Sequence, residues 1–364
     1  MTPTTEMDRD LLVNLLRRYS PSGYEEEATA YLVSWLQEQG LKASLDLAGN
    51  ACASWGRGER TLCLLGHIDT VAGRLPVTAR DGTVTGRGAV DAKGPLVAFA
   101  SALARVARDN EEPEGVRILL VGAVGEESDS RGARHLLKGP GVPSATIIGE
   151  PSRWDRVTLG YRGSLRGVYQ VRAPRAHTAA EVATAAEEAL RVWSRVARDA
   201  DQYNRPEEGK GASPFHSLSP RLLAVSSWDD GAEGRARIRF SVRIPPGLGV
   251  DEVKRRLRDL TLPHRLQFDG AEEPFTAERN TPLVRDLLRA MRASGARPRF
   301  SMKTGTSDMN VVGPVWKGPI AAYGPGDPTL SHTQDERISL EELSRSVAVL
   351  EKLLGSWVRG TPPG

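Results

Sequence analysis

Short apolar or alternating runs at residues 41–47, 52–55, 61–66, 116–121 and 146–148 are separated in part by helical patterns at 95–107 and 132–137. Strands interleaved with helices bury both faces of a sheet only when the helices cover them, so the pattern predicts an α/β fold with a mostly parallel mixed sheet flanked by helices. Two amphipathic helices are expected ahead of it, at 8–19 and 24–39, divided by the breaker Ser20-Pro21-Ser22-Gly23. From about Gly160 the pattern changes. A long strand (164–171), a helix (179–198), two strands (222–227 and 235–243), a helix (250–260) and a strand (265–268) follow in the βαββαβ order of a ferredoxin-like α+β unit. After Pro274 the α/β character returns, with helices expected at 283–293 and 340–354. The reading is a larger domain in two parts, 1–160 and 274–364, carrying an insertion at 161–273. A polar, Gly-containing stretch at 204–213 reads as a mobile loop.

The chain has 364 residues, enough for two cores, and its 39% hydrophobic and 26% charged residues are ordinary for a globular protein. No apolar run approaches the ~18 residues needed to span a bilayer, so no membrane association is expected. The N-terminal segment lacks the basic and apolar regions of a secretory signal, and Cys52 and Cys63 lack the spacing of a thiolate metal site. Together these point to the cytoplasm. A net charge of +3 is too small and dispersed to suggest a nucleic-acid partner.

Chemistry concentrates at strand ends, where open α/β sheets place their ligands. His67 and Asp69 follow the run 62–65. Asp91 sits in the glycine-bracketed turn Gly88-Ala89-Val90-Asp91-Ala92-Lys93-Gly94 ahead of a helix, where it could equally serve as a cap. Glu126 and Glu127 are adjacent carboxylates, which repel one another unless something positive lies beside them; a surface loop and a metal site are the two explanations. Glu150 ends another apolar run, and His332 lies in a Gly/Pro-rich loop before the last helix. Each has a bland reading alone. Acidic and imidazole groups at successive strand ends, completed by a distant histidine, define one site.

The runs GHIDT, GRGAVDAKG, GEES, GEP and SHTQDE, in this order and spread over nearly the whole chain, resemble the M20 family of zinc-dependent peptidases and deacylases, which includes desuccinylases, deacetylases and glutamate carboxypeptidases. The resemblance implies two Zn²⁺ per subunit, with Co²⁺ able to use the same ligands. It makes His67 and Glu150 terminal ligands of one metal, Glu127 and His332 those of the other, and Asp91 the bridge. Glu126 becomes the general base, and Asp69 the carboxylate that orients His67. Three ligand carboxylates against two divalent cations leave about one positive unit to polarise a carbonyl and acidify water. The resemblance also makes the insertion a lid and dimerisation domain. Within it His177 would stabilise the oxyanion in a partner subunit's site, which implies a homodimer. Gly305, Thr306 and Ser307 would bind the substrate carboxylate, assisted by Arg243.

Within the family, the runs GHIDTVAG, GRGAVDAKGPL, YRGSLRG and KTGTSDMN resemble the branch that releases lysine or ornithine from the small acidic amino-group carrier protein LysW, the last step of lysine synthesis through aminoadipate. A deacylase acting on acetylornithine or succinyl-diaminopimelate would use the same chemistry. A non-catalytic binding protein would have to lack a ligand or the base, and none is missing. Residues 161–272 hold 19 Lys and Arg against 15 Asp and Glu, whereas the remainder holds 30 against 31. A basic insertion would steer an acidic carrier.

Overall fold

The computed structural model describes residues 3–139, 141–174, 177, 181–205, 213–229 and 231–360. They form two compact units: Met1–Leu159 with Ala277–Ser301 and Ser307–Gly364, and Gly160–Thr276 with Met302–Thr306. The stretch read as a mobile loop lies outside the described residues over 206–212.

In the first unit the sheet runs Lys42–Leu45, Ala51–Gly56, Val116–Ala123, Arg60–His67, Ala145–Gly149, Ile320–Ala322 and Arg156–Tyr161, with Arg299–Lys303 beside the last. The contiguous strands from Val116–Ala123 to Ile320–Ala322 are parallel and the outer ones antiparallel, which is the expected mixed sheet. Arg60–His67 and Ala145–Gly149 are buried almost end to end, as central parallel strands must be. The helix Lys93–Asp109 is buried along nearly its whole length. It packs between the sheet and the outer helices Pro3–Arg17 and Leu340–Val358, so its small and apolar residues have no solvent face to accommodate.

The second unit is an antiparallel sheet ordered Ser219–Asp229, Glu233–Ile244, Gly163–Pro174, Arg265–Glu272, the ferredoxin-like arrangement. One face packs on the helices Ala185–Tyr203 and Val250–Thr261 through Tyr169, Ile238, Phe240, Val192 and Leu257. The first of these helices begins later than its apolar pattern suggests. Thr184 and Glu187 form a reciprocal capping box that starts it at Ala185 rather than 179, and residues 178–180 lie outside the described ones.

Several elements carry no clear sequence signal, among them short strands such as Thr83–Thr85 and Arg337–Ser339. Ile320–Ala322 is too short to show a period. Arg156–Tyr161 reads as connection. The helix Asp308–Trp316 contains Pro314 and opens where the sequence reads as a turn. Among the described residues no helix is long and apolar enough to cross a membrane.

Gly149 shows how tightly the central helix meets the sheet. A Cβ there would lie 2.7 Å from a Phe99 ring carbon and 3.1 Å from the Cα of Gly66. Gly149→Ala is expected to lower unfolding free energy by about 1–3 kcal/mol through overpacking. Denaturant titration measures this, and Phe99→Leu in the same chain should recover part of the loss.

Candidate metal centre

Parallel pairing of Gly66 with Gly149 makes His67 and Glu150 the next positions on neighbouring strands. On the other side of the His67 strand, Ile68 N–H donates to the Ala123 carbonyl, and the chain beyond Ala123 turns through Gly125 to bring up Glu126 and Glu127. Asp91 lies at the entrance to the Lys93–Asp109 helix, and the Asp91–Ala92 peptide is cis. His332 comes from the far end of the chain, just after the turn Pro328–Leu330, with φ +64°.

The side chains converge. His67 Nε2 is 3.3 Å from Asp91 Oδ1, 3.8 Å from Glu150 Oε1 and 3.9 Å from Glu126 Oε2. His332 Nε2 is 2.7 Å from Glu127 Oε1 and 3.3 Å from Asp91 Oδ2. The two oxygens of Asp91 thus face different histidines. Two triads, His67-Asp91-Glu150 and Asp91-Glu127-His332, each bring their ligand atoms within 4.8 Å of one another and share Asp91; His67 with Glu126 and Glu127 forms a third grouping.

The donor set fits cations. The Nδ1–H of His67 is directed at the backbone carbonyl of Asp69 at 3.0 Å, which leaves Nε2 as the nitrogen that faces the site. That nitrogen is buried, has no hydrogen-bond partner among the described residues, and points at carboxylate oxygens. A nitrogen so placed among anions calls for positive charge there, a proton in the metal-free protein or a metal cation in its place. Burial raises Glu126 well above the usual carboxylate range, reinforced by the charges of Glu127, Glu150 and Asp308 and opposed by His67. Burial also works against the His67 imidazolium, yet the surrounding Glu126, Asp69 and Asp91 carboxylates lift its pKa well above the ordinary histidine value.

Asp69 is fully buried, and its carboxylate accepts from the backbone N–H of Glu126 and of Glu127, each at 3.0 Å, and from Ser22 Oγ at 2.6 Å. It holds the backbone of both glutamates. Its oxygen Oδ1 is 3.5 Å from His67 Nδ1, so the expected contact with the imidazole is shared with its own carbonyl. Sequence reasoning missed three supporting residues. Glu336 accepts from the backbone of the Asp91 turn. Arg87 donates to Glu336 Oε2 at 2.7 Å. Lys93, fully buried, donates to the terminal carbonyls of Leu15 and Arg18 at 2.9 and 2.8 Å. Nothing in their spacing marks them out, since each acts on backbone atoms distant in sequence.

The other expected residues lie at the second unit or at its edge. Arg243 Nη1 donates to Thr306 Oγ1 at 3.2 Å, and both belong to that unit, as does Gly305. Ser307 belongs to the first unit, where its hydroxyl oxygen accepts from Met309 N as the cap of the Asp308–Trp316 helix. His177 is exposed, outside helices and strands. Arg162, absent from the sequence reading, donates to the Thr304 and Ser217 carbonyls and to Ser219 Oγ. Burial, with the neighbouring charges of Arg243 and Arg221, lowers its pKa to about 10.

Hydrogen bonds to Asp91 and Glu127 push His332 up to about 10. Because this exceeds its ordinary value of about 6.5, the stabilisation in the metal-free protein is complete below that value and is lost as pH rises through about 10. A cation taking this place must displace the imidazole proton, so the affinity of the metal-free protein for a divalent cation should rise with pH over the same window. Competition against a chelator at a series of pH values checks it; a flat profile would exclude His332 as a ligand.

A model of peptidase family M20/M25/M40 matches residues 63–356. The chain is 38% identical over 363 residues to the [LysW]-lysine hydrolase of Deinococcus radiodurans, covering 99% of each. Its fold matches an M20 family metallo-carboxypeptidase from Sulfolobus solfataricus with a TM-score of 0.79 at 17% identity, over 97% of this chain and 99% of the other. A dinuclear metal-binding M20 peptidase from Bacillus subtilis matches with a TM-score of 0.70 at 12% identity, over 99% of both. With the sheet, the inserted ferredoxin-like unit and the converging carboxylates and histidines in place, the chain belongs to peptidase family M20/M25/M40, as a metal-dependent hydrolase of amide bonds.

Proposed function

We propose that this chain hydrolyses the amide bond joining lysine to the carrier protein LysW, with ornithine as the alternative cargo, and that it does so with two zinc ions. The observation that carries the reading is a full-length relative named for that reaction together with a complete donor set. His67 and Glu150 would hold one cation, Glu127 and His332 the other, and Asp91 would contribute to both. Bound there, the cations supply Lewis acidity that polarises the scissile carbonyl and makes water a nucleophile near neutral pH.

The remaining chemistry falls to the chain's own groups. Glu126 lies beside the donors, 3.9 Å from His67 Nε2, in surroundings that raise its proton affinity. It takes the proton from the attacking water and passes it to the leaving amine. Asp69 fixes it for this role through its backbone N–H. His177 is assigned to the developing oxyanion, from a second copy in a homodimer, on the family resemblance alone. Arg162, Arg243 and Arg221 crowd like charges together in the second unit, a setting that favours a bound carboxylate.

The second unit also supports an acidic protein partner. Along Glu233–Ile244, Ala236, Ile238, Phe240 and Val242 face the helices, so Arg235, Arg237, Arg239 and Arg243 share the opposite face. Strand register adds Arg166 and Arg172 from one neighbour, Arg221 from the other, and Arg265 from the outer strand. Glu233 and Glu272 are the acidic groups that the same register places there. A face so rich in guanidinium attracts carboxylates over a range set by salt. A biosynthetic enzyme of this kind works in the cytoplasm.

Glu126→Gln should reduce turnover of LysW-linked lysine by about 10²–10⁴-fold while both metals stay bound, checked by activity alongside metal analysis. Loss of metal would mean that Glu126 is a ligand instead. A panel of LysW-linked lysine, LysW-linked ornithine, acetylornithine and succinyl-diaminopimelate decides the substrate; preference for either free compound overturns the carrier reading. Arg237→Glu with Arg239→Glu should raise KM for carrier-linked lysine at low salt and leave a short glutamyl-lysine substrate unaffected. Equal KM values for the carrier in both proteins would remove the steering role.

A further inference from the structure

The two halves of the candidate centre are built differently. His67 and Glu150 stand on paired strands, positioned by ladder hydrogen bonds that exist with or without a metal. Glu127, Asp91 and His332 come from three separate connections, and the His332 side chain is 48% exposed. The large sheet does not set the distance between Asp91 and His332; antiparallel pairing of Arg337–Ser339 with Thr83–Thr85 brings their two connections together, and side-chain contacts must fix the rest.

Glu336, four residues beyond His332, is fully buried and bridges those two connections. Its Oε1 accepts from the backbone N–H of Gly88, Val90 and Asp91 at 3.0, 3.0 and 3.1 Å. Its Oε2 accepts from Arg87 Nη1 at 2.7 Å, and the same nitrogen donates to the Thr333 carbonyl at 3.1 Å. The backbone closes the clamp, with Gly86 N–H donating to the Glu336 carbonyl at 3.2 Å. A carboxylate with this many donors is held in one place, and it carries the turn before Asp91 and the turn after His332 with it.

We propose that Glu336 is a positioning residue that fixes Asp91 relative to His332, so that the cation held by Asp91, Glu127 and His332 depends on it, while the cation held by His67, Asp91 and Glu150 largely does not. The inference rests on the two-metal reading above. Glu336 touches no reacting atom in it. A defect of general stability would weaken both positions alike; a defect of spacing weakens one.

The test is stepwise Co²⁺ binding to metal-free protein, followed by calorimetry and by the visible spectrum of each bound ion. Unaltered protein should take two equivalents. In Glu336→Gln, which keeps the size but sets an amide NH₂ against Arg87, the first equivalent should bind as before and the second about 10–100-fold more weakly. His332→Ala should lose the second equivalent outright, and adding Glu336→Gln to it should change the first no further. Should Glu336→Gln fail to fold, Arg87→Lys removes the guanidinium fork while keeping the charge and should show the same selective loss. Equal weakening of both equivalents, or none, overturns the positioning role while the two-metal reading stands. Unaltered protein binding fewer than two equivalents overturns both.

Discussion

Asp91, Glu126, Glu127 and Glu150 are crowded around two histidines in a largely buried pocket, and their mutual repulsion is the constraint to which the surrounding structure answers. Desolvated carboxylates at these separations are unfavourable unless positive charge is shared among them. In the metal-free molecule protonated imidazole supplies part of that charge, as the raised pKa values of His67 and His332 indicate. Divalent cations would supply more of it, since Nε2 of His67 is buried beside carboxylate oxygens and has no hydrogen-bond partner among the described residues.

Holding such a cluster requires backbone anchors, because the side chains themselves push apart. The anchors are buried polar groups that look ordinary one at a time. Asp69 ties down the amides of Glu126 and Glu127. Glu336 ties down the turn carrying Asp91. Lys93, whose pKa burial lowers to about 7, reaches from the start of the central helix to the carbonyls closing the first helix. Each of these residues satisfies its own burial by organising someone else's backbone, and replacing Asp69 or Glu336 by an apolar residue would free backbone that carries part of the cluster.

The second unit answers to a different constraint. A single sheet has two faces, and its helices cover one. The opposite face carries arginine at most alternate positions of Glu233–Ile244, and strand register adds one or two arginines from each of the three other strands. Like charges on neighbouring strands cost stability, and the proposed acidic partner would offset that cost. The surplus of positive charge counted along this segment therefore has a spatial form that counting alone does not reveal.

Fold class, the position of the inserted unit and the members of the cluster were legible in the amino-acid order, because each depends on local periodicity or on short runs of distinctive residues. The strand ends bearing His67, Glu126 and Glu150 announced themselves through apolar runs that stop at polar residues. The start of the Ala185–Tyr203 helix, the three-residue strand Ile320–Ala322 and the Pro-containing helix Asp308–Trp316 did not, since capping and neighbouring strands outweigh propensity over such short stretches. Sequence by itself determined which chemical groups the protein owns and in what kind of scaffold. Only the tertiary structure decided that Asp91 turns one oxygen to each histidine, that Asp69 serves two backbone amides besides its histidine, and that Glu336 joins turns some 240 residues apart in the chain. Those are long-range hydrogen bonds and ion pairs, and linear spacing carries no information about them.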